Sequence, residues 1–140
     1  RIGLSQEADI VSLDDNIITL VKAKKGIDVI ICDECQFLTP SQVEELRYIV
    51  DNLNIPVLCF GLRTDFRTHL FPGSLRLFEI ADSLTEIKTI CRCGHKATVN
   101  ARIINGRIVT EGEQVVLGGN ECYEAMCYKC MQKRIKEQNK

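Results

Sequence analysis

The sequence lacks an excess of charge of either sign. Its 140 residues contain 18 Lys and Arg against 19 Asp and Glu, which leaves a formal net charge of -1. Proteins that bind nucleic acids through the phosphates carry clustered positive charge. Here the most basic stretch, residues 133–140, also contains Glu137. We therefore expect no nucleic-acid partner.

The sequence also lacks a long apolar run and a charged-then-apolar leader. A membrane-spanning helix needs about 20 largely apolar residues, and a secretory signal needs such a leader. These absences predict no membrane association and a cytoplasmic location. Because 45% of the residues are hydrophobic, the chain has enough apolar material for one domain, or for a domain with a small appendage.

The chain contains eight cysteines. Three of them (Cys32, Cys35 and Cys59) lie in or beside strand-like apolar runs, where we expect core or near-core thiols. The pairs Cys91-Arg-Cys93 and Cys127-Tyr-Lys-Cys130 have the spacing of zinc ligands. Four thiolates fit a structural zinc site, since they leave no open coordination position for catalysis. His95 or Cys122 in place of one ligand, or disulfide pairing, are the alternatives.

The first half of the chain predicts a parallel α/β unit. The run Ile27–Cys32 is nearly all apolar, as in a strand covered on both faces. Thr39, Pro40 and Gln42 form a helix start with a capping box. The apolar helix face that follows comprises Val43, Leu46, Val50 and Leu53. A second strand over Val57–Phe60 completes a right-handed crossover, which places ligands at the carboxyl ends of the strands.

Weaker patterns predict the remaining elements of residues 1–90. They are a strand over Ile10–Leu13, a helix over Ile17–Val21, a long loop over Gly61–Ser74, a helix over Leu75–Ala81 and a third strand over Leu84–Ile90. A loop of that length is unusual unless it is functional. It either lines a ligand pocket with its aromatic residues or is pinned to the core by them.

The pattern changes near Ile90, which predicts a small second domain over residues 91–140. Asn105-Gly106 between apolar runs predicts a hairpin. The predicted elements of this part are strands over Ala97–Ile104 and Arg107–Thr110, an extended piece over Gln114–Leu117 and a partly helical segment over Tyr123–Lys136. So small a domain needs the zinc site to stabilise it.

Asp33 and Glu34 follow the predicted strand Ile27–Cys32. An Asp in this position is typical of a Walker-B strand, where it holds the magnesium of a nucleoside triphosphate. The adjacent Glu is placed to take a proton from an attacking hydroxyl. Alternatively, both acids only cap the helix near Pro40 or pair with Arg63 or Arg67. The glycine-rich phosphate loop ending in Lys-Ser or Lys-Thr is missing, so either that loop lies upstream of Arg1 or the interpretation as an enzyme is wrong.

Several segments together resemble the zinc-containing, type II thymidine kinase family, and its bacterial branch more than its animal one. They are RIGLS, ICDECQFL, PVLCFGLRTDF, LFPGS, KTICRCGHKA, EGEQVVLGGNECY and the final cysteine pair. The resemblance implies a P-loop NTPase-type (RecA-like) α/β domain over 1–90, without its phosphate-loop portion. It also implies a zinc-ribbon-like lasso domain over 91–140.

The resemblance implies transfer of the ATP γ-phosphoryl group to the 5′-hydroxyl of thymidine or deoxyuridine. Glu34 is then the general base, Asp33 assists magnesium, and Gln36 lies beside the phosphates. The residues implied to bind the nucleoside are Phe37, Leu62, Phe66, Phe71, Gln114, Val115, Val116, Leu117, Gly118 and Tyr123. Cys91, Cys93, Cys127 and Cys130 match the family's zinc positions. A homotetramer is also implied. The competing hypothesis is a non-enzymatic zinc-ribbon scaffold.

Overall fold

The computed structural model describes residues 5–114 and 122–140 of the chain. Its helices are α1 (Ile17–Lys22), α2 (Pro40–Leu53), α3 (Pro72–Ile80) and α4 (Tyr128–Gln138), with a 3-10 turn at Cys35–Phe37. Its strands are β1 (Ile30–Cys32), β2 (Val57–Cys59), β3 (Thr89–Ile90), β4 (Lys96–Ala97), β5 (Val99–Ile104), β6 (Arg107–Ile108) and β7 (Cys122–Met126). The architecture is mixed α/β. No described helix has the length and apolar character to cross a membrane.

The predicted parallel crossover is present. β1 pairs with β2 in parallel, with Ile30 opposite Val57 and Cys32 opposite Cys59, and α2 connects them. The helices α1 and α2 pack on one face of this sheet through a cluster centred on Ile49. Asp33 and Glu34 therefore leave the sheet at the carboxyl end of β1, where such sheets place their ligands.

The start of α2 has the predicted capping box. The Thr39 side chain accepts a hydrogen bond from Gln42 N, and the Gln42 side chain accepts one from Thr39 N. The amide nitrogen of Gln42 also donates to the carbonyl oxygens of Ser12 and Asp15. Gln42 thus links residues 12–15 to α2 through hydrogen bonds.

Replacing Thr39 by Ala should lower the free energy of unfolding by about 1 kcal/mol, because the N–H of Gln42 loses its acceptor. Chemical denaturation of the purified protein measures this loss. Ser41→Ala is the matched control, since Ser41 is exposed in the same helical turn and should change stability little. Equal effects of the two variants would contradict the capping role.

The prediction of a strand covered on both faces is wrong for the described residues. Ile31 is 66% exposed and Leu58 is 47% exposed, although both lie in strands of the parallel sheet. The reason is that α1 and α2 cover one face, while the described residues leave the opposite face open. An apolar run alone does not reveal which neighbours cover it.

Other predicted elements of residues 1–90 also differ from the structure. Ile10–Leu13 is not a strand, and Ile10 is 93% exposed. α3 begins at Pro72 rather than Leu75, because proline suits the first helical position. In place of a strand over Leu84–Ile90, only Thr89–Ile90 is extended and paired, and it pairs antiparallel with β4 rather than joining the parallel sheet.

The second half of the chain contains the predicted hairpin. β5 and β6 pair antiparallel around Asn105 and Gly106, whose φ angles of 49° and 76° are those of a tight hairpin turn. β7 pairs with the other edge of β5, and α4 follows it. A small core joins this sheet to α4, formed by Cys91, Val99, Ala101, Ile108, Met126 and Met131.

Candidate active site and cysteine cluster

Glu34 has an unusual backbone conformation. Its φ and ψ are 52° and 36°, the left-handed region that a non-glycine residue adopts at a cost of about 1 kcal/mol or more. The Glu34 N–H donates to Asp33 Oδ1 at 2.9 Å, and both acidic residues are exposed. Such strain next to a sheet edge is typical of a site where the side-chain direction matters.

Gln36 connects Glu34 to the loop after β2. The Gln36 side chain is almost fully buried; its Nε2 donates to Glu34 Oε2, and its Oε1 accepts from Leu62 N at 3.0 Å. A larger residue at position 61 would displace the Gln36 side chain, because a Cβ atom there would lie 2.5 Å from Gln36 Oε1. Gln36 therefore holds the Glu34 carboxylate in place from a rigid position.

Neither arginine considered as a partner for the two acids contacts them. Arg67 pairs with Asp65 at 3.0 Å, and Arg63 donates to the carbonyl oxygen of Thr98. The helix α2 is capped by Thr39. The alternative in which Asp33 and Glu34 only cap a helix or pair with these arginines is therefore wrong.

The apolar residues that the resemblance assigns to the nucleoside pocket near Glu34 differ in their exposure. Phe66 and Phe71 are buried, whereas Leu62 is 42% exposed and Phe37 is 46% exposed. The Phe37 and Phe71 rings meet edge to face, with centroids 5.7 Å apart. Phe71 thus supports a partly exposed apolar surface that Phe37 presents beside Glu34.

Asp65 anchors the same loop. Its buried side chain accepts hydrogen bonds from Arg67 N, His69 N, the Arg67 guanidinium and Gln114 Nε2. Burial raises the pKa of the Asp65 carboxyl group, but the hydrogen bonds from His69, Arg67 and Gln114 outweigh it. The pKa of Asp65 therefore lies below its usual value.

Asp65→Asn should lower the free energy of unfolding by about 2 kcal/mol near pH 7, because an amide is a weaker acceptor than a carboxylate and cannot serve every donor. The lowered pKa means that this stabilisation is complete above about pH 4 and is lost as the pH falls through the folded-state value. Denaturation at several pH values should show the gap between variant and wild type narrowing in acid. Asp82→Asn is the control, since Asp82 forms an exposed ion pair. A difference in unfolding free energy between Asp65→Asn and wild type that does not change with pH would contradict the stabilising role of the Asp65 carboxylate.

Arg102 joins this loop to the second half of the chain. Only 2% of Arg102 is exposed, and its guanidinium lies 3.9 Å from the centre of the Phe66 ring. It donates to the Tyr123 hydroxyl and to the carbonyl oxygens of Glu113 and Gln114 at 3.0 to 3.1 Å. Tyr123, 49% exposed, lies directly opposite Arg102 in the β5–β7 pair.

The two cysteine pairs meet. The Sγ atoms of Cys91, Cys93, Cys127 and Cys130 all lie within 4.8 Å of one another. In a tetrahedral zinc site with Zn–S bonds near 2.3 Å, the sulfur atoms are about 3.8 Å apart, and the Cys93–Cys127 separation is 3.6 Å. The sulfur positions are compatible with a structural zinc ion.

The acid–base properties of these thiols also fit a cation. The backbone N–H groups of Cys93 and Cys127 are the main factors that lower the pKa of Cys91 to about 6. Hydrogen bonds with Cys93, Cys127 and Cys91 raise the pKa of Cys130 to about 12. Four thiols this close cannot all ionise without a positive charge among them, and a zinc ion would supply that charge.

The alternatives to this ligand set are not supported. Among the described residues, the group of four contains neither His95 nor Cys122. His95 Nδ1 lies 3.4 Å from Cys93 Sγ, and Cys122 Sγ contacts the Ile103 carbonyl oxygen. All eight cysteines are free thiols.

Comparisons with known proteins show which family the chain belongs to. The protein-family model described as "Thymidine kinase" matches residues 1–131. The chain belongs to the thymidine kinase family. The thymidine kinase of Shewanella oneidensis is 49% identical over 133 residues, which are 92% of this chain and 69% of that protein. That of Yersinia pestis is 49% identical over 97% of this chain and 71% of its own length.

A further relative, the thymidine kinase of Legionella pneumophila strain Lens, is 54% identical over 91% of this chain and 63% of its own length. The chain therefore spans roughly two thirds of the length of these relatives. The resemblance inferred from the sequence segments is confirmed. The non-enzymatic scaffold hypothesis is not supported, since every one of these relatives is named as a thymidine kinase.

The structure places the predicted site residues in two groups. Near Glu34 lie Gln36, which contacts it, and Leu62, which bonds to Gln36. In the second group, Arg102 contacts Phe66, Tyr123 and Gln114. The predicted binding residues Val115, Val116, Leu117 and Gly118 lie outside the described residues. The extended piece predicted over Gln114–Leu117 falls mostly there as well.

Sequence reasoning gave Asp65 and Arg102 no role, although the structure makes both central to the loop contacts. The available signal for Arg102 was a charged residue within the apolar strand Val99–Ile104. For Asp65 it was an acid within a loop otherwise rich in apolar and basic residues. In both cases the partner is distant in sequence.

The three cysteines of the first half of the chain are near-core thiols, as predicted: Cys35 is buried and Cys32 and Cys59 are half-buried. Their acid–base behaviour depends on one another more than on the adjacent acids. A hydrogen bond with Cys59 lowers the pKa of Cys32, outweighing burial and the charge of Asp33, which raise it.

Proposed function

We propose that Glu34 is the general base of the thymidine kinase reaction, taking the proton from the 5′-hydroxyl of the nucleoside. The chain is a thymidine kinase, a transferase that phosphorylates thymidine, as its family match and its relatives at about 50% identity support. The donor in the proposal is the γ-phosphoryl group of ATP. The acceptor is thymidine or deoxyuridine.

The observation that carries the proposal is the strained backbone of Glu34 at the carboxyl end of β1. This conformation presents an exposed carboxylate beyond the sheet edge, while Gln36 holds one of its oxygens. A general base must lie within hydrogen-bond reach of the proton that it takes. Fixing both the backbone and the carboxylate orients this base before the substrate arrives.

Asp33 is proposed to hold the magnesium ion that accompanies ATP. Its side chain is an exposed carboxylate next to the proposed base, and hard oxygen ligands of this kind suit Mg²⁺. When bound, the ion would neutralise charge on the transferred phosphoryl group. Gln36 is proposed to lie beside the phosphates, although its side-chain oxygen and nitrogen already contact Leu62 and Glu34.

The proposed nucleoside site extends from Glu34 to the second half of the chain. Phe37 and Leu62 offer partly exposed apolar surface, and Tyr123 offers a half-exposed ring. The buried Phe66 and Phe71 support this surface from behind. Further contacts are proposed for Gln114, Val115, Val116, Leu117 and Gly118.

Zinc is proposed to bind Cys91, Cys93, Cys127 and Cys130 as a structural ion. It would tie the start of the second part, near β3 and β4, to the start of α4. The proposed domains are residues 1–90 and 91–140, although β3 at Thr89–Ile90 already pairs with β4. A homotetramer and a cytoplasmic location complete the proposal.

The proposal is tested by assaying the protein at its full natural length with ATP and Mg²⁺. We expect ADP formation that depends on thymidine or deoxyuridine, with the 5′-monophosphate as product. Purine nucleosides at the same concentration serve as the specificity control. Absence of thymidine phosphorylation by folded, zinc-loaded protein would overturn the proposed function.

A further inference from the structure

Tyr123 lies at the surface, but its neighbour across the sheet is buried. In β5 the side chains of Ala101 and Arg102 point to opposite faces, because successive residues of a strand alternate. Ala101 packs into the core beside the cysteine cluster. Arg102 instead points to the Gly61–Ser74 loop, where its guanidinium stacks on the Phe66 ring.

The guanidinium of Arg102 uses all three of its nitrogen atoms. Nε donates to the Tyr123 hydroxyl oxygen at 3.0 Å, Nη1 donates to the Glu113 carbonyl oxygen at 3.0 Å, and Nη2 donates to the Gln114 carbonyl oxygen at 3.1 Å. A planar guanidinium holds such partners in a fixed geometry that a lysine ammonium cannot reproduce. These contacts therefore fix Tyr123 relative to residues 113 and 114.

The Phe66 end of this arrangement is itself anchored. Phe66 is only 3% exposed. Its neighbour Asp65 receives hydrogen bonds from the backbone N–H groups of the loop and from Gln114 Nε2. The series Phe66, Arg102, Tyr123 thus runs from a rigid, buried ring to a half-exposed one.

The hydrogen bond also orients the Tyr123 hydroxyl. An arginine side chain has donors and no acceptor, so the Tyr123 oxygen accepts from Arg102. The phenolic hydrogen is then left to donate to another group. Tyr123 consequently presents one face of its ring together with a hydroxyl donor of set direction.

We propose that Arg102 is a positioning residue for nucleoside binding, which acts by linking Tyr123 to the anchored Phe66 through its guanidinium. This inference rests on the proposed function, in which Tyr123 contacts the nucleoside. Arg102 itself contacts protein groups and is not a catalytic residue. Substitution of Arg102 should therefore change the KM for the nucleoside acceptor and leave the KM for ATP, the phosphoryl donor, nearly unchanged.

The test is steady-state kinetics of full-length protein carrying Arg102→Met. We expect the KM for thymidine to rise roughly tenfold or more, since a small displacement of a positioning group has a large effect. The KM for ATP should stay within about twofold and kcat should fall less than the thymidine KM rises. Equilibrium binding of thymidine without ATP should weaken by the same factor as the KM rises.

Arg107→Met is the matched control. Arg107 lies in the same hairpin, but its guanidinium donates to the Gln138 carbonyl oxygen near the end of α4. This variant should leave the thymidine KM unchanged. Zinc content and the thermal midpoint of all variants are measured alongside, so that general loss of folding is visible.

Tyr123→Phe tests the hydrogen bond without disturbing Arg102. It removes the hydroxyl alone, so the thymidine KM should rise, and Arg102→Met combined with Tyr123→Phe should be no worse than Arg102→Met by itself. If Arg102→Met fails to fold, Arg102→Lys and Tyr123→Phe decide the matter. Arg102→Lys keeps the charge and loses the planar geometry, and its thymidine KM should also rise.

Three results would overturn the inference. They are an unchanged thymidine KM in folded Arg102→Met or in Tyr123→Phe, independent effects of the two substitutions, or equal increases in the KM for thymidine and for ATP. The last would indicate a purely structural role. Failure of the proposed function is distinct, because it would appear as absent thymidine phosphorylation in the wild-type protein.

Discussion

Glu34→Gln should lower kcat for thymidine phosphorylation by about 10² to 10⁴-fold, the usual contribution of a general base. The amide has the shape of the carboxylate and keeps an oxygen that accepts from Gln36, so the local structure is preserved. It cannot take a proton at neutral pH. We therefore expect thymidine binding, measured by equilibrium titration, to stay within about twofold of wild type.

Glu44→Gln is the control for this variant. Glu44 is an exposed glutamate of α2 that pairs with Arg76, so its loss of charge should leave kcat unchanged. Normal turnover by the Glu34→Gln protein would exclude Glu34 as the base. A matching loss of thymidine binding would instead indicate that Glu34 binds substrate without acting on its proton.

We expect purified protein to contain about one zinc ion per chain, and we expect removal of this ion by a strong chelator to unfold the region around residues 91–130. Structural zinc sites have apparent binding free energies of about 10 to 16 kcal/mol, far more than the small core of this region supplies. Cys91→Ser should also lower zinc content and stability, because it removes one of the four clustered sulfur atoms. Metal analysis and thermal unfolding with and without chelator measure both.

Cys122→Ser is the matched control for zinc. Cys122 lies in β7 outside the group of four sulfur atoms, so the variant should retain its metal and its thermal midpoint. Loss of zinc in Cys122→Ser would indicate that Cys122 is a zinc ligand. Metal-free wild-type protein with reactive Cys91 and Cys130 thiols would contradict the zinc site altogether.

The helix start at Thr39 and the hairpin at Asn105-Gly106 were predicted from sequence because their signals are local. A capping box joins residues three apart, and a tight hairpin turn depends on the conformations open to two residues. The pairing of β1 with β2 followed from the strand, helix, strand order. The cysteine cluster was predictable from spacing, since each close pair supplies two ligands from one short segment.

Sequence-based predictions failed where contacts between residues distant in the sequence decide the structure. Ile31 belongs to an apolar run but is 66% exposed, because burial depends on what covers each face of the sheet. Leu84–Ile90 resembled a sheet strand, yet only Thr89 and Ile90 pair, with β4. The backbone strain at Glu34 and its support by Gln36 and Leu62 could not be predicted from residue types alone.

The sequence by itself determined the family, the pair of acids after β1 and the four cysteines that meet, because these depend on residue identity and on short spacing. Tertiary structure alone decided the network of Asp65, Gln114, Arg102 and Tyr123. Its hydrogen bonds join residues up to 49 positions apart. Only folding brings such groups within about 3 Å, the distance at which a hydrogen bond can fix a side chain.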